Sequence, residues 1–234
     1  MQSVKLLTYN VHEAVGAGRQ RSYQRIKEVI REINPDIINL QEVDSELNEQ
    51  KNQQSFLFET IRKTFGYYGV KGITMIRSRS AYGNAIFLKI KPLEIRRHDI
   101  SFGNREPRGI LDCKIQLNDL TLRVMNTHFG LKKQERSTQV QILKQLVQQE
   151  VYLPILLSGD FNEWNSRSNN LKALREAMNM VPSECTFPAK FPLFALDRIF
   201  YKGKIQLLNS RRHKSPLSLS ASDHLPLVAE FSLA

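Results

Sequence analysis

Hydrophobic and polar positions follow two periods along this chain. Four stretches repeat at helical spacing. Residues 22–33 place Ile26, Val29, Ile30 and Ile33 on one face, with Ser22 as N-cap and Asn34-Pro35 as the stop. Residues 55–65 group Phe56, Leu57, Ile61 and Phe65, residues 134–149 group Val140, Leu143 and Val147, and residues 168–178 group Leu171, Leu174 and Met178. Ten shorter apolar runs predict strands at 4–10, 36–42, 83–89, 92–99, 109–117, 120–128, 154–159, 195–201, 204–209 and 226–232. Asn118-Asp119 is a two-residue turn between two of them. Residues 44–54 are rich in Gln and Asn and read as a loop. A strand–helix–strand unit opens the chain, and the second half repeats it in outline. Helices flank strands without strict alternation, which predicts a layered α/β sandwich with mixed sheets. No linker or composition break divides residues 1–234, so one domain is expected.

Short polar clusters end several of the apolar runs. They are Tyr9-Asn10-Val11-His12, Gln41-Glu42, Asn126-Thr127-His128, Gly159-Asp160-Phe161-Asn162 and Ser222-Asp223-His224. Asp197 opens a further run, Leu196-Asp197-Arg198-Ile199-Phe200. One fold that brings these ends to one rim assembles acids, amides and imidazoles. Hard oxygen donors with histidines suit hydrolysis of a phosphate ester with a divalent metal.

Composition narrows the partners. The chain has 234 residues, 41% of them hydrophobic, and a formal net charge of +11. That size and content support a substantial core. The charge favours polyanions: nucleic acid, anionic lipid headgroups or phosphorylated small molecules. Arg77-Ser78-Arg79-Ser80, Arg96-Arg97-His98 and Arg211-Arg212-His213-Lys214 are basic clusters in expected loops. They serve either as a polyanion collar or as solvated surface. Cys113 and Cys185 lack a CxxC spacing and read as reduced thiols of a cytoplasmic protein. The N-terminus has no signal-peptide apolar region, and no segment reaches the length of a membrane span. A monomer is expected.

Each cluster supports a specific role beside a plainer one. Asn10 orients a carboxylate or a phosphate oxygen, or forms a turn. His12 lies two residues on along the strand and so shares its face, where it is structural or substrate-facing. Glu42 ends a buried run, so its carboxylate is solvated, paired or metal-bound. Asp160 and Asn162 sit at a strand exit, where Gly159 lets the backbone turn. They suit the alignment of an attacking water. His224 acts as base or charge stabiliser, and Asp197 is the candidate to hold its tautomer. His128 supplies a second imidazole. Arg105 and Arg108 offer guanidinium forks for phosphate.

In this ordered set the chain resembles the endonuclease/exonuclease/phosphatase superfamily, which includes pancreatic-type deoxyribonuclease, exonuclease III, neutral sphingomyelinases and inositol-polyphosphate 5-phosphatases. The resemblance runs from Thr8-Tyr9-Asn10 to Ser222-Asp223-His224. It implies a four-layer α/β/β/α sandwich of two mixed sheets flanked by helices. It also implies Mg²⁺, with Mn²⁺ as a substitute, held by Glu42 with Asn10 and Asp223 near it. Asp160, Asn162, Asp197, His128 and His224 take the catalytic positions. Arg105 matches the Arg-Glu-Pro of the deoxyribonuclease branch. Arg108, His12 and Asn84 complete the substrate-binding set. Gly83-Asn84-Ala85, Glu106-Pro107-Arg108-Gly109 and Ser215-Pro216-Leu217 place it nearest compact bacterial members of undefined substrate. His12 stands where the abasic-site endonucleases carry an acid, and their active-site tyrosine has no counterpart. The expected activity is metal-dependent phosphodiester or phosphomonoester hydrolysis, by in-line attack of water. A nuclease is the alternative, and a non-catalytic phosphate-binding module a third reading. The sequence leaves the sharing of base work between Asp160 and His224 open.

Overall fold

A computed structural model describes residues 2–47, 56–78 and 80–233. Two six-stranded sheets stack face to face, with helices on both outer faces. The first sheet holds β1 (Gln2–Asn10), β2 (Ile37–Ser45), β3 (Tyr68–Ile76), β4 (Ala81–Leu88), β11 (Ile205–Arg212) and β12 (Leu227–Leu233), in the order β11-β12-β1-β2-β4-β3. The second holds β5 (Glu94–Asp99), β6 (Gly109–Leu117), β7 (Leu120–His128), β8 (Ile155–Asp160), β9 (Asn179–Met180) and β10 (Asp197–Lys202), in the order β5-β6-β7-β8-β10-β9. Each sheet has one parallel pair, β1–β2 and β7–β8; its other pairings are antiparallel. This is the expected four-layer α/β/β/α sandwich.

Helices α1 (Tyr23–Ile33) and α2 (Leu57–Phe65) cover the first sheet, and α3 (Lys133–Gln148) and α4 (Asn169–Ala177) cover the second. A short α5 (Ser218–Ala221) precedes the last strand. Local chemistry sets the helix ends. Ser22 Oγ accepts from Arg25 N, and Asn34 closes α1 in the left-handed region at φ 48°. Ser168 Oγ accepts from Leu171 N at the start of α4. The predicted inner faces are buried: Ile26, Val29, Ile30 and Ile33 on α1, and Val140, Leu143 and Val147 on α3.

Two expectations need correction. Strand β3 carries no clear apolar signal, because it is an edge strand diluted by Gly69 and Gly72. Both glycines are needed for close approach: a Cβ at Gly69 would lie 2.6 Å from the Phe58 ring, and one at Gly72 3.2 Å from Asn84 O. Strand β2 does not end at Glu42 but runs to Ser45 through a bulge, so residues 44 and 45 are strand, not loop. The rest of the Gln/Asn-rich segment, 48–54, with residue 55 and Arg79 of the first basic cluster, lies outside the described residues.

Two buried polar systems brace the layers. Arg123, fully buried, donates to Asp112 Oδ2 at 2.6 Å and caps α3 by donating to Leu146 O and Gln149 O at 3.1 and 3.0 Å. Removing the acid leaves the buried guanidinium with two carbonyls and a longer contact to Glu150, 3.9 Å from its Nε. Asp112→Ala is therefore expected to lose about 3–5 kcal/mol in urea unfolding, and a loss below about 1 kcal/mol, the range of an exposed pair, would contradict this account. Between the sheets runs an amide ladder. Asn39 Nδ2 donates to Met125 O and Ser158 Oγ, Gln41 Nε2 to Asn126 Oδ1, and Asn126 Nδ2 back to Leu40 O and Ala85 O. Gln41 and Asn126 are thus inter-sheet struts, not members of the rim.

Candidate active site

The C-terminal ends of the parallel pairs open on one rim. In the first sheet Asn10 pairs in register with Gln41, beside Glu42; in the second, His128 pairs with Asp160. Parallel strands place their carboxyl ends, and the loops that follow, on the same side. The antiparallel neighbour β10 enters that rim at Asp197, opposite Asp160.

Asn10 is the hinge of the arrangement. Its side-chain nitrogen donates to Glu42 Oε1 at 2.9 Å and to Asp160 Oδ2 at 3.0 Å. One amide therefore holds an acid from each sheet. Its oxygen accepts from His12 N at 3.0 Å and keeps a second lone pair, so in this geometry Asn10 positions the acids through its nitrogen. Glu42 sits at the bulge with φ 59°, a conformation that aims the side chain out of the strand's alternation. Burial raises its pKa, opposed by the Asn10 hydrogen bond and His12 and reinforced by Asp160 and Asp223. A cluster of acids held this way is short of positive charge.

Asp160 is buried. Its Oδ1 accepts from Asn162 N at 2.8 Å, and its Oδ2 lies 3.6 Å from His128 Nε2 and 3.7 Å from His224 Nε2. Asn162, at φ 50°, donates to Phe129 O at 2.8 Å and places its amide nitrogen 3.1 Å from His128 Nε2. Gly159 serves a purpose other than the sharp turn expected. A Cβ there would stand 1.9 Å from Thr127 O on the adjacent strand.

The two histidines are tuned apart. His224 Nδ1 lies 2.8 Å from Asp197 Oδ2, and that oxygen also accepts from Thr186 Oγ1 at 2.5 Å. Burial alone would lower the His224 pKa, but Asp197, then Asp160 and Asp223, raise it to about 10. His128 moves the other way, to about 3, through burial, with Arg108 and His224 adding to the fall and Asp160 opposing it. Arg108 Nη1 lies 3.3 Å from His128 Nδ1. Donors therefore face both ring nitrogens, Arg108 at Nδ1 and the Asn162 amide at Nε2, an environment that disfavours a second proton on the ring.

The remaining candidates separate. Asn84 is buried and donates to Gly109 O; with Glu42, Tyr82, Arg108 and His128 it lines a narrow cleft over the acids. Asp223 is half-exposed at the rim, its Oδ1 3.5 Å from His12 Nδ1. His12 is not on β1 as expected; it begins a short 3-10 turn at φ 45°, and its ring reaches Val15 O and Asp223. Arg105 is exposed in a turn closed by its own N–H to Phe102 O. Arg108, not Arg105, is the arginine at the cleft. Its fork holds Glu106, and its buried Nε has no partner among the described residues. Ser222, already part of the closing polar cluster, donates from Oγ to Asn10 O at 2.8 Å. Two contributors escaped the sequence reading: Tyr82 and Thr186. Nothing local in the sequence distinguishes them.

The basic clusters are largely occupied. Arg77 pairs with Glu13 and stacks on Tyr82, Arg96 pairs with Glu94 and Glu150, and Arg212 pairs with Glu184. Both cysteines are free thiols. Among the described residues no helix is long and apolar enough to cross a membrane.

A divalent cation fits this donor set. Glu42 is the carboxylate at the cleft, with Asp223 and Asp160 nearby. Asp160, Asp197 and His224 also place ligand atoms within 4.8 Å of one another. That trio is better read as a hydrogen-bonded chain, because Asp197 is fully buried and its Oδ2 takes both His224 and Thr186, while its Oδ1 has no partner among the described residues.

Known proteins share this architecture. YbhP of Escherichia coli K12, an uncharacterised protein, is 28% identical over 99% of this chain and 97% of its own length. A protein of Beutenbergia cavernae from the endonuclease/exonuclease/phosphatase group superposes over all of this chain and 72% of its own, with a TM-score of 0.79 at 19% identity. The human Nocturnin catalytic domain, solved with a bound sulfate, superposes with a TM-score of 0.77 at 20% identity, covering 99% of this chain and 94% of that domain. At these identities the structural likenesses speak to the fold. Residues 7–224 match the Endonuclease/Exonuclease/phosphatase family as a sequence family, and the chain belongs to it.

Proposed function

We propose that this protein is a metal-dependent hydrolase of phosphate esters. One observation carries the reading: a single amide, Asn10, holds Glu42 and Asp160 from opposite sheets, with the Asp197–His224 pair directly behind Asp160. Glu42, with Asp223 at the rim, would hold Mg²⁺ or Mn²⁺, whose contribution is to polarise a phosphoryl oxygen and ease departure of the alkoxide. Asp160, oriented by Asn10 and by the Asn162 N–H, aligns the attacking water and takes its proton. His224, kept charged by Asp197, faces the oxygens on which negative charge grows. The opposed tuning of the two imidazoles supports this division. His128 stays neutral beside Asp160, while Arg108 offers its unpartnered Nε to a phosphate oxygen.

The test is hydrolysis of bis(p-nitrophenyl) phosphate and p-nitrophenyl phosphate by metal-stripped protein. Turnover is expected to be lost in EDTA and restored by Mg²⁺ or Mn²⁺. Full activity after stripping would sink the reading. A nuclease is the second reading, supported by the charge of +11. The structure of zebrafish TDP2 with a single-strand DNA product, at a TM-score of 0.75, shows that fold accommodating nucleic acid in that protein. Against it here, several of the basic clusters are already paired with acids. DNA and RNA in the same metal panel separate the two.

A further inference from the structure

Beside the acids, the rim turns apolar. Residues 187–194 form a hairpin closed by paired hydrogen bonds between Phe187 and Phe194. Its base is fixed to the site: the Phe187 ring lies 4.8 Å from the His224 ring, and Ala189 N donates to Asp223 O. Its tip, Lys190-Phe191-Pro192-Leu193, projects into solvent, with Phe191 78% and Leu193 70% exposed. On one side a cavity of about 420 Å³ is lined by Leu131, Trp164, Phe187, Phe194 and Leu196, and it meets the site at Asn162. On the other, a cavity of about 370 Å³ runs past Phe191 and Val15 to His12 and Asp223. Leu131 and Trp164 are themselves 68% and 64% exposed. A patch of this kind marks an interaction surface, since single exposed apolar residues scatter and these converge.

We infer that this hairpin and the apolar side chains around it dock the protein onto an anionic lipid bilayer, so that the phosphate ester it hydrolyses is carried by a lipid. The second half of that statement rests on the hydrolase reading; the docking surface does not. The charge pattern selects this occupant. Lys190 sits at the hairpin tip, and Lys132 and Lys133 follow Leu131. All three are exposed, and none is in an ion pair with a described residue. Apolar tips flanked by lysines enter the interface while the ammonium groups reach anionic headgroups. A nucleic acid is the poorer fit. The larger cavity has one polar lining side chain, Asn162, already bonded to Phe129 O, so it offers bases no edge to read; its Trp164, Phe187 and Phe194 rings could stack on bases as well as enter a bilayer interface, which is why an oligonucleotide is an arm of the test.

Trp164 is the chain's single tryptophan and lies in the patch, so its emission reports docking directly. The protein in EDTA is titrated with phosphatidylcholine vesicles containing about 30% phosphatidylglycerol, and with phosphatidylcholine alone, alongside co-sedimentation. A blue shift and sedimentation are expected with the anionic vesicles, weakening as salt rises. The Phe191→Ser/Leu193→Ser double variant is expected to bind them at least about tenfold more weakly, while hydrolysing soluble bis(p-nitrophenyl) phosphate within about twofold of wild type. Lys190→Glu/Lys132→Glu is expected to lose affinity for the anionic vesicles only. Wild type failing to bind anionic vesicles, or the serine variant binding as wild type does, overturns the inference. So does a serine variant that loses a labelled single-stranded oligonucleotide yet keeps the vesicles. Absent turnover of the soluble diester in wild type counts against the hydrolase reading alone.

Discussion

His224→Ala and Asp160→Asn are each expected to lower kcat on bis(p-nitrophenyl) phosphate by at least about a hundredfold, the usual effect of removing a positioned acid or base. The two act by different routes. Without His224, the charge that Asp197 sustains beside the phosphoryl oxygens disappears, and Asp197 is left buried with Thr186 as its remaining donor. Without the Asp160 carboxylate, the Asn10 amide keeps Glu42 but loses its acceptor on the second sheet, and the water loses its base. Asp160 ends β8 and His224 lies in the segment between α5 and β12, neither within a hydrophobic core cluster, so circular dichroism is expected to show folded variants. Near-normal turnover in either folded variant would mean that the chemistry lies elsewhere.

The second large effect separates two arginines three residues apart. Arg108→Ala is expected to reduce kcat about ten- to a hundredfold, the worth of hydrogen bonds to a charged group. Arg105→Ala should stay within about twofold, because exposed arginines away from a partner contribute little. The sequence motif favours Arg105, as part of Arg-Glu-Pro. The fold decides otherwise. Arg108 N donates to Ser101 Oγ and Ile100 N to Arg108 O, which turns the Arg108 side chain inward beside His128, while Arg105 stays in the exposed turn. Equal losses in both variants would show the 101–108 loop closing over substrate.

That pair illustrates what the sequence discloses. A polar residue at the end of a long apolar run is conspicuous, and this drew attention to Asn10, Glu42, Asp160 and His224. An acid at the head of a buried run must have a partner, which led to Asp197 facing His224. These inferences need only local pattern and the cost of burying a charge. Other features depend on what a neighbouring strand does. The bulge that re-aims Glu42 exists only relative to β4. The edge strand β3 is masked by glycines whose reason is the Phe58 ring and the Asn84 carbonyl. Thr186 lies in an irregular segment with nothing to mark it until Asp197 is seen to need a second donor. Gln41 and Asn126 sit beside rim residues in sequence, yet point between the sheets.

The amide ladder has a consequence for how such a protein changes over time. Its rungs join opposite sheets, so sliding one sheet by a residue orphans all of them together, at about 1–3 kcal/mol each. Glu42 and Asp160 are attached to the two sides of that lock. Heat can therefore part them only when the sandwich itself comes apart, and inactivation and melting become one event. A lineage shifting to a new substrate has little freedom within the lock. Its variation is channelled into the hairpin and loops above, where residues can be exchanged without disturbing the rungs.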